Sequence, residues 1–337
     1  MWKTGALLAA SLATGLVLVE VLLRGFVPPH VAAQASARFE LDPDLIYRLR
    51  PHNVVTWQAA EFTETSRTNA LGMRGPEVGA KRPGERRVLA LGDSFTYGHG
   101  VQDDEAYPAV LEALLRAAGH DATVLNAGVP GYSSDQSYAR FVRDGLAVRP
   151  DLLLVGIHCS DVSDNFERPL YDVVAGRLVP LEARHTWMYR LGSVVGSVPA
   201  LVQESRLFDL LLTAVDWQEP ERRQPAVPDL EAWSREKIRL QVRDMRARGA
   251  PAGMAVAVVI MPCKKVLLAG EADPYGPLGR DLAALDVPIL DAGDALGLAH
   301  PDLAALFFRD DPHLNPRGAR ALAETVAAFL AAEGLPG

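Results

Sequence analysis

The hydrophobic pattern divides the chain near residue 86. Beyond it, short continuous apolar runs alternate with segments of helical spacing. Val88–Leu91, Ala122–Leu125, Asp151–Ile157, Met254–Met261 and Val287–Leu290 read as strands. Runs without polar alternation are expected where a strand is covered on both faces. Between them, Pro108–Ala118 puts Val110, Leu111, Leu114 and Leu115 at helical spacing, and Gly119 stops it. Ser133 or Ser134 can cap a helix running to about Asp144. The last helix is punctuated by Asn315 as cap, Pro316 at its first position and Gly334 beyond its end. This alternation predicts an α/β fold with a mostly parallel sheet.

Two stretches break the rhythm. From about Asn165 to Arg248 the chain is too long for a simple connection, and it holds Trp187, Trp217 and Trp233. It reads as an inserted lid over about 165–248, with Leu230–Arg246 returning as a helix. At the other end, Thr4–Leu23 is almost wholly apolar and about the length a bilayer core requires. A cleaved signal has a shorter apolar region, and the small-residue site Ala35-Ser36-Ala37 lies well past Arg24. Residues 1–25 are therefore read as a transmembrane anchor rather than a signal, with the large domain outside the cytoplasm. Residues 26–37 follow as a linker, marked by Pro28-Pro29, and residues 38–85 as a small N-terminal extension containing the strand-like Val54–Trp57.

Composition narrows the function. Of 337 residues, 49% are hydrophobic and 23% charged, as in an ordinary globular protein. The net charge of −8, with no long basic run, argues against a nucleic-acid partner. The two cysteines, Cys159 and Cys263, show no metal-binding spacing and make no disulfide framework. Cys159, on an apolar run, is expected to be buried and inert.

The candidate chemistry sits at the end of the first strand after residue 86, where Gly92-Asp93-Ser94 leads into a polar loop ending Tyr97-Gly98. Sites of open α/β sheets lie just past the carboxyl ends of strands. Ser94 there is a candidate nucleophile, with helix capping as its ordinary alternative. A serine needs a base, and the base an orienting acid. Asp310-Asp311-Pro312-His313 supplies both, and His300 is a weaker rival for the base. Asp93 is expected to bond backbone amides of its own loop.

Gly92-Asp93-Ser94 together with Asp-x-x-His resembles the SGNH (GDSL-type) hydrolase family, and residues 69–334 outside the insertion share in the likeness. The resemblance implies a flavodoxin-like three-layer α/β/α sandwich and a triad of Ser94, His313 and Asp310, with Asp311 as the neighbouring alternative acid. It also implies an oxyanion hole from the amides of Ser94 and Gly131, with Gly128 as alternative. Asn69-Ala70-Leu71-Gly72-Met73-Arg74-Gly75 resembles the segment that precedes the catalytic block in membrane-anchored bacterial members. Arg74 there is either a substrate contact or an exposed turn residue. The third block departs from the family: Ser160 stands where an asparagine donor is expected. Ser160 itself, Asn165 or His158 would have to supply that donor, and Asp93 and Asn165 are candidate substrate contacts. The family's chemistry needs no cofactor or metal. The activity implied is a serine esterase acting on O-acyl groups of cell-surface carbohydrate. An O-acyltransferase on an exopolysaccharide and a non-catalytic carbohydrate-binding protein are the alternatives.

Overall fold

Parallel pairing of the buried apolar runs organises the molecule. A computed structural model describes residues 2–26, 37–181, 205 and 229–335. Helix α1 (Trp2–Phe26) is followed by two antiparallel pairs, β1 (Phe39–Asp42) with β2 (Ile46–Leu49), and β3 (Val54–Gln58) with β4 (Thr63–Arg67). Next come β5 (Arg86–Leu91), α2 (Ser94–Tyr97), α3 (Tyr107–Ala117), β6 (Ala122–Asn126), α4 (Ser134–Asp144), β7 (Leu152–Ile157) and α5 (Asp161–Glu167). A hairpin of β8 (Tyr171–Val174) and β9 (Arg177–Pro180) precedes α6 (Leu230–Gly249) and β10 (Ala255–Ile260). The chain ends through α7 (Lys264–Ala269), α8 (Leu278–Ala283), β11 (Ile289–Asp291), α9 (Ala292–Ala299) and α10 (Pro316–Ala332).

The central sheet has the order β11-β10-β7-β5-β6, and every pairing is parallel. It is covered on both faces because side chains alternate along each strand. Val88, Ala90, Leu154 and Val259 pack with Leu111 of α3 and Leu322 and Val326 of α10. Leu89, Leu91, Leu153 and Val258 pack with Phe141 of α4 and Ile238 and Met245 of α6. Burying each such side chain contributes about 1.5–3 kcal/mol. The strand order reverses at β5, which has β6 on one side and β7 on the other. Such a switch point opens a crevice at the carboxyl ends of the strands. Ser94 is three residues past β5.

The structure corrects two expectations. In the extension the expected strand forms as β3, within one of two hairpins, and Leu45, Ile46 and Leu49 pack with Tyr97, Val129 and Tyr132 beside the site. The apolar N-terminal stretch is one helix, α1, but among the described residues no helix is long and apolar enough to cross a membrane. Lys3, Thr4, Ser11, Thr14, Glu20 and Arg24 interrupt its apolar character. Glu20 meets a protein group, accepting from Ser205 Oγ at 2.7 Å. The second correction concerns the cysteines. Cys159 and Cys263 form a disulfide, with Cα atoms 6.0 Å apart, at the ends of the adjacent strands β7 and β10. Strand adjacency brought them together across a separation of 104 residues, which spacing could not reveal.

Much of the expected lid, with Trp187 and Trp217, lies outside the described residues. Its returning helix forms as predicted. Lys237 and Gln241 of α6 reach Asp135 of α4 at 2.9 and 2.7 Å, and this buried carboxylate also accepts from the Leu170 and Tyr171 amides.

The disulfide closes a loop of about a hundred residues, for which chain entropy alone gives on the order of 4–5 kcal/mol. Replacing both cysteines (Cys159→Ser with Cys263→Ser) is expected to lower stability by about 2–5 kcal/mol. Urea unfolding with and without reductant checks this, and reductant should leave the double variant unchanged.

Candidate active site

Strand β5 delivers the serine and the loop before α10 delivers the base. Asp93 caps α2, its carboxylate accepting from the Phe95 amide at 2.9 Å, and Gly98 ends the helix in a left-handed conformation at φ 87°. Gly92 enters the turn at φ 154°, where a Cβ would lie 2.2 Å from the Thr96 hydroxyl. This tight strand–helix turn presents Ser94 at the sheet edge.

The Ser94 hydroxyl lies 2.7 Å from His313 Nε2. On the other side of the ring, Nδ1 lies 2.6 Å from Asp311 Oδ1, which also accepts from the His313 amide at 2.9 Å. A carboxylate on Nδ1 requires the proton there, leaving Nε2 as acceptor for the serine proton. Phe95 flanks the imidazole with ring centroids 5.1 Å apart. Burial works to raise the Asp311 carboxyl, but its bonds to His313 outweigh this and hold it below its ordinary value.

Asp310 does not occupy the expected position. Its side chain is 67% exposed and pairs with Arg309 at 2.7 Å. Asp311 meets the imidazole instead. The residue before a proline is biased toward extended backbone, and in extended chain positions i and i+2 share a side. Asp311-Pro312-His313 therefore carried a signal against Asp310.

Three blocks converge at the carboxyl ends of β5, β6 and β7. After β6, Gly128 lies against the Ser94 turn, where a Cβ would come 2.3 Å from the Tyr97 nitrogen. Its amide is taken by Asn126 Oδ1 at 3.1 Å. Gly131 follows at φ 78°, in a turn packed on the Tyr47 hydroxyl. After β7, Ser160 Oγ lies 3.0 Å from His158 Nδ1, which also accepts from the Ser160 amide at 3.3 Å. His158 stacks on Phe95 with centroids 4.3 Å apart, and burial drives its pKa down to about 3, so the ring is neutral.

Several candidates prove to be structural. Asn165 is fully buried, bonding Ser134, the Asp135 amide and Ser234, so it contacts neither substrate nor oxyanion. Asp93 is buried as the cap of α2 rather than aimed at a substrate. Arg74 is neither exposed nor a substrate contact. It donates to the Tyr97, Gly98 and Val101 carbonyls at 3.0, 2.6 and 2.7 Å and to Asp103 at 2.9 Å, bracing the loop after Ser94.

A second imidazole lies beside the first and was not anticipated. His99 sits edge-on to His313 with centroids 4.8 Å apart. Its Nδ1 is 3.2 Å from Glu64, a fully buried carboxylate that also takes Arg38 at 2.9 Å and the Gly100 amide at 2.9 Å. Burial alone would raise Glu64, but His99, Arg38 and Arg74 bring it down to about 2. His99, Asp311 and His313 also lie close enough to hold a metal ion, yet the bonds of His313 to Ser94 and Asp311 already occupy both ring nitrogens. A second such grouping among the described residues, His158 with Cys159 and Cys263, is closed by the disulfide.

Residues 90–321 match the model of the GDSL-like Lipase/Acylhydrolase family, more than half of the chain. An arylesterase of Vibrio mimicus is 27% identical over 84 residues, which is 25% of this chain and 42% of that protein. The chain thus spans less than half the length of that relative. Among solved structures, LAE5, an alpha/beta hydrolase enzyme from the metagenome of Lake Arreo, is 19% identical with a TM-score of 0.46, over 77% of this chain and 100% of that one. Axe2, an acetylxylan esterase of Geobacillus stearothermophilus, is 15% identical with a TM-score of 0.44, over 73% and 94%.

Burial pushes the Asp93 carboxyl from 3.8 up to about 6. A folded value above the unfolded one means the folded state holds its proton more tightly. The contribution is fully present below about pH 4 and is lost as pH rises through about 6, a change on the order of 3 kcal/mol. Asp93→Asn keeps a carbonyl for the Phe95 amide and removes the charge. Its melting temperature relative to the natural protein should be flat below about pH 4, rise to about pH 6 and then level off. A difference independent of pH would contradict the assignment.

Proposed function

The chain belongs to the GDSL-like Lipase/Acylhydrolase family, and from that premise we propose that it is a serine esterase cleaving O-acyl esters with Ser94 as nucleophile, His313 as general base and Asp311 as the orienting acid. The observation that carries the reading is the unbroken relay from Ser94 Oγ to His313 to Asp311, with bonds of 2.7 and 2.6 Å. His313 takes the serine proton as Oγ attacks the acyl carbon, and Asp311 stabilises the imidazolium. The same imidazolium then protonates the departing alcohol. Water repeats the cycle on the acyl-enzyme. The developing oxyanion is met by the Ser94 amide at the start of α2 and the Gly131 amide after β6. Ser160, paired with His158, is the third candidate donor and becomes one only if its hydroxyl turns from the ring.

No observation among the described residues favours passing the acyl group to a sugar hydroxyl, so hydrolysis is the reading put forward. A non-catalytic role is disfavoured by the intact relay. Acylated carbohydrate is the substrate class to test first. We place the enzyme outside the cytoplasm. The disulfide supports this, because such bonds form and persist in oxidising compartments.

A fluorophosphonate probe should label the protein, and Ser94→Ala should abolish labelling. Asp311→Asn is expected to cut kcat for p-nitrophenyl acetate by about 10⁴-fold, as when the orienting acid is lost in a serine protease. Asp310→Asn should leave it within about twofold, because exposed substitutions of this kind perturb little. Absence of labelling in the natural protein, or the reverse ranking of the two aspartates, would refute the assignment.

A further inference from the structure

The loop that carries both Asp311 and His313 is held by a residue of the N-terminal extension, and the bonds that hold it run through its backbone. Glu61 lies in the connection between β3 and β4. Its Oε1 accepts from the Arg309 amide at 2.9 Å, and its Oε2 accepts from the Asp310 and Asp311 amides, each at 2.8 Å. Three consecutive N–H groups point at one carboxylate, across a sequence separation of 248 to 250 residues. Charge-assisted bonds of this kind are roughly twice as strong as neutral ones. The opposite polarity is met from the other side. Lys264 Nζ, next to Cys263, donates to the Phe308 and Arg309 carbonyls, each at 2.7 Å, and to the Asp311 carbonyl at 3.1 Å. Phe62, the neighbour of Glu61, packs on Phe308 with centroids 4.9 Å apart.

We propose that Glu61 is a positioning residue of the acid–base pair: its carboxylate collects the amides of residues 309 to 311 and fixes the loop so that the Asp311 carboxylate reaches His313 Nδ1. Glu61 touches neither imidazole nor serine and acts only through the loop. The extension is then a working part of the site rather than a cap over it. Asp311 and His313 are separated by one residue, so their 2.6 Å bond depends on the backbone torsions of residues 311 to 313, directly beside the amides that Glu61 collects. Without Glu61 the three N–H groups, two of them in exposed bonds, would pass to water, which fixes no loop geometry.

This inference rests on the proposed roles of His313 and Asp311, and the test separates the two. Glu61→Ala should lower kcat for p-nitrophenyl acetate roughly ten- to hundredfold with KM within about twofold, the size expected when reacting groups are misplaced. Glu61→Gln, which keeps one carbonyl oxygen, should fall between Glu61→Ala and the natural protein. The proton shared by His313 and Asp311 gives a low-field resonance in proton NMR, observable whether or not the protein turns over an ester. That resonance should broaden or move in Glu61→Ala. Unchanged kcat and resonance would overturn the proposal. So would a fall in kcat with the resonance intact, or a rise in KM alone, which would mark a substrate contact. If Glu61→Ala does not fold, the same two readouts on Glu61→Gln decide. Loss of the resonance in Glu61→Ala from a protein without esterase activity would uphold the positioning role while refuting the esterase.

Discussion

A histidine ring can receive a proton on one nitrogen only if the other is kept protonated. That constraint falls here on the contact between Asp311 and His313 Nδ1, and much of the architecture serves it. The parallel sheet fixes the serine end of the relay, because β5 is held by β6 on one side and β7 on the other. The base end has no such frame. It hangs on a loop between the short bridge partners Phe307 and Leu314. The molecule compensates with long-range polar contacts to that loop, from Glu61 on one flank and Lys264 on the other.

The N-terminal extension therefore does more than cover hydrophobic surface. Arg74 pins the carbonyls of the loop after Ser94, and Glu64 gathers Arg38, His99 and the Gly100 amide directly behind the imidazole. These groups are nearly all buried, so each left without its partner would carry a desolvation cost. The result is a polar wall between the extension and the α/β unit that carries Ser94 and His313. In the esterase we propose, such a wall would hold reacting atoms at attack distance without drawing on substrate binding.

The sheet and its covering helices were legible in the sequence because periodicity reports burial directly. The continuous run Asp151–Ile157 and the punctuation of Asn315 and Pro316 led to β7 and α10 within a residue. Ser94 and His313 were legible for a different reason: strand-end position and local spacing are sequence properties. The choice between Asp310 and Asp311 turned on one backbone rotation, to which the family pattern is blind but the following proline is not. Arg74, Glu61 and His99 could not have been assigned, since their roles depend on contacts between the extension and loops far away in the chain. Their local sequence looks like ordinary turn. Asn165 shows the opposite failure. It lies beside the third block, yet residues of α4 and α6 take both polar atoms of its side chain.

The bond between Cys159 and Cys263 has a topological consequence. Everything from residue 160 to 262, including the whole stretch that interrupts the strand–helix rhythm, lies inside a covalent ring closed at the sheet edge. A peptide bond cut anywhere within that ring leaves both halves joined at the ends of β7 and β10, and with them the flank of the site. Loop trimming by a protease would thus open the ring without dividing the molecule, and the fragments would lose their covalent link only under reducing conditions.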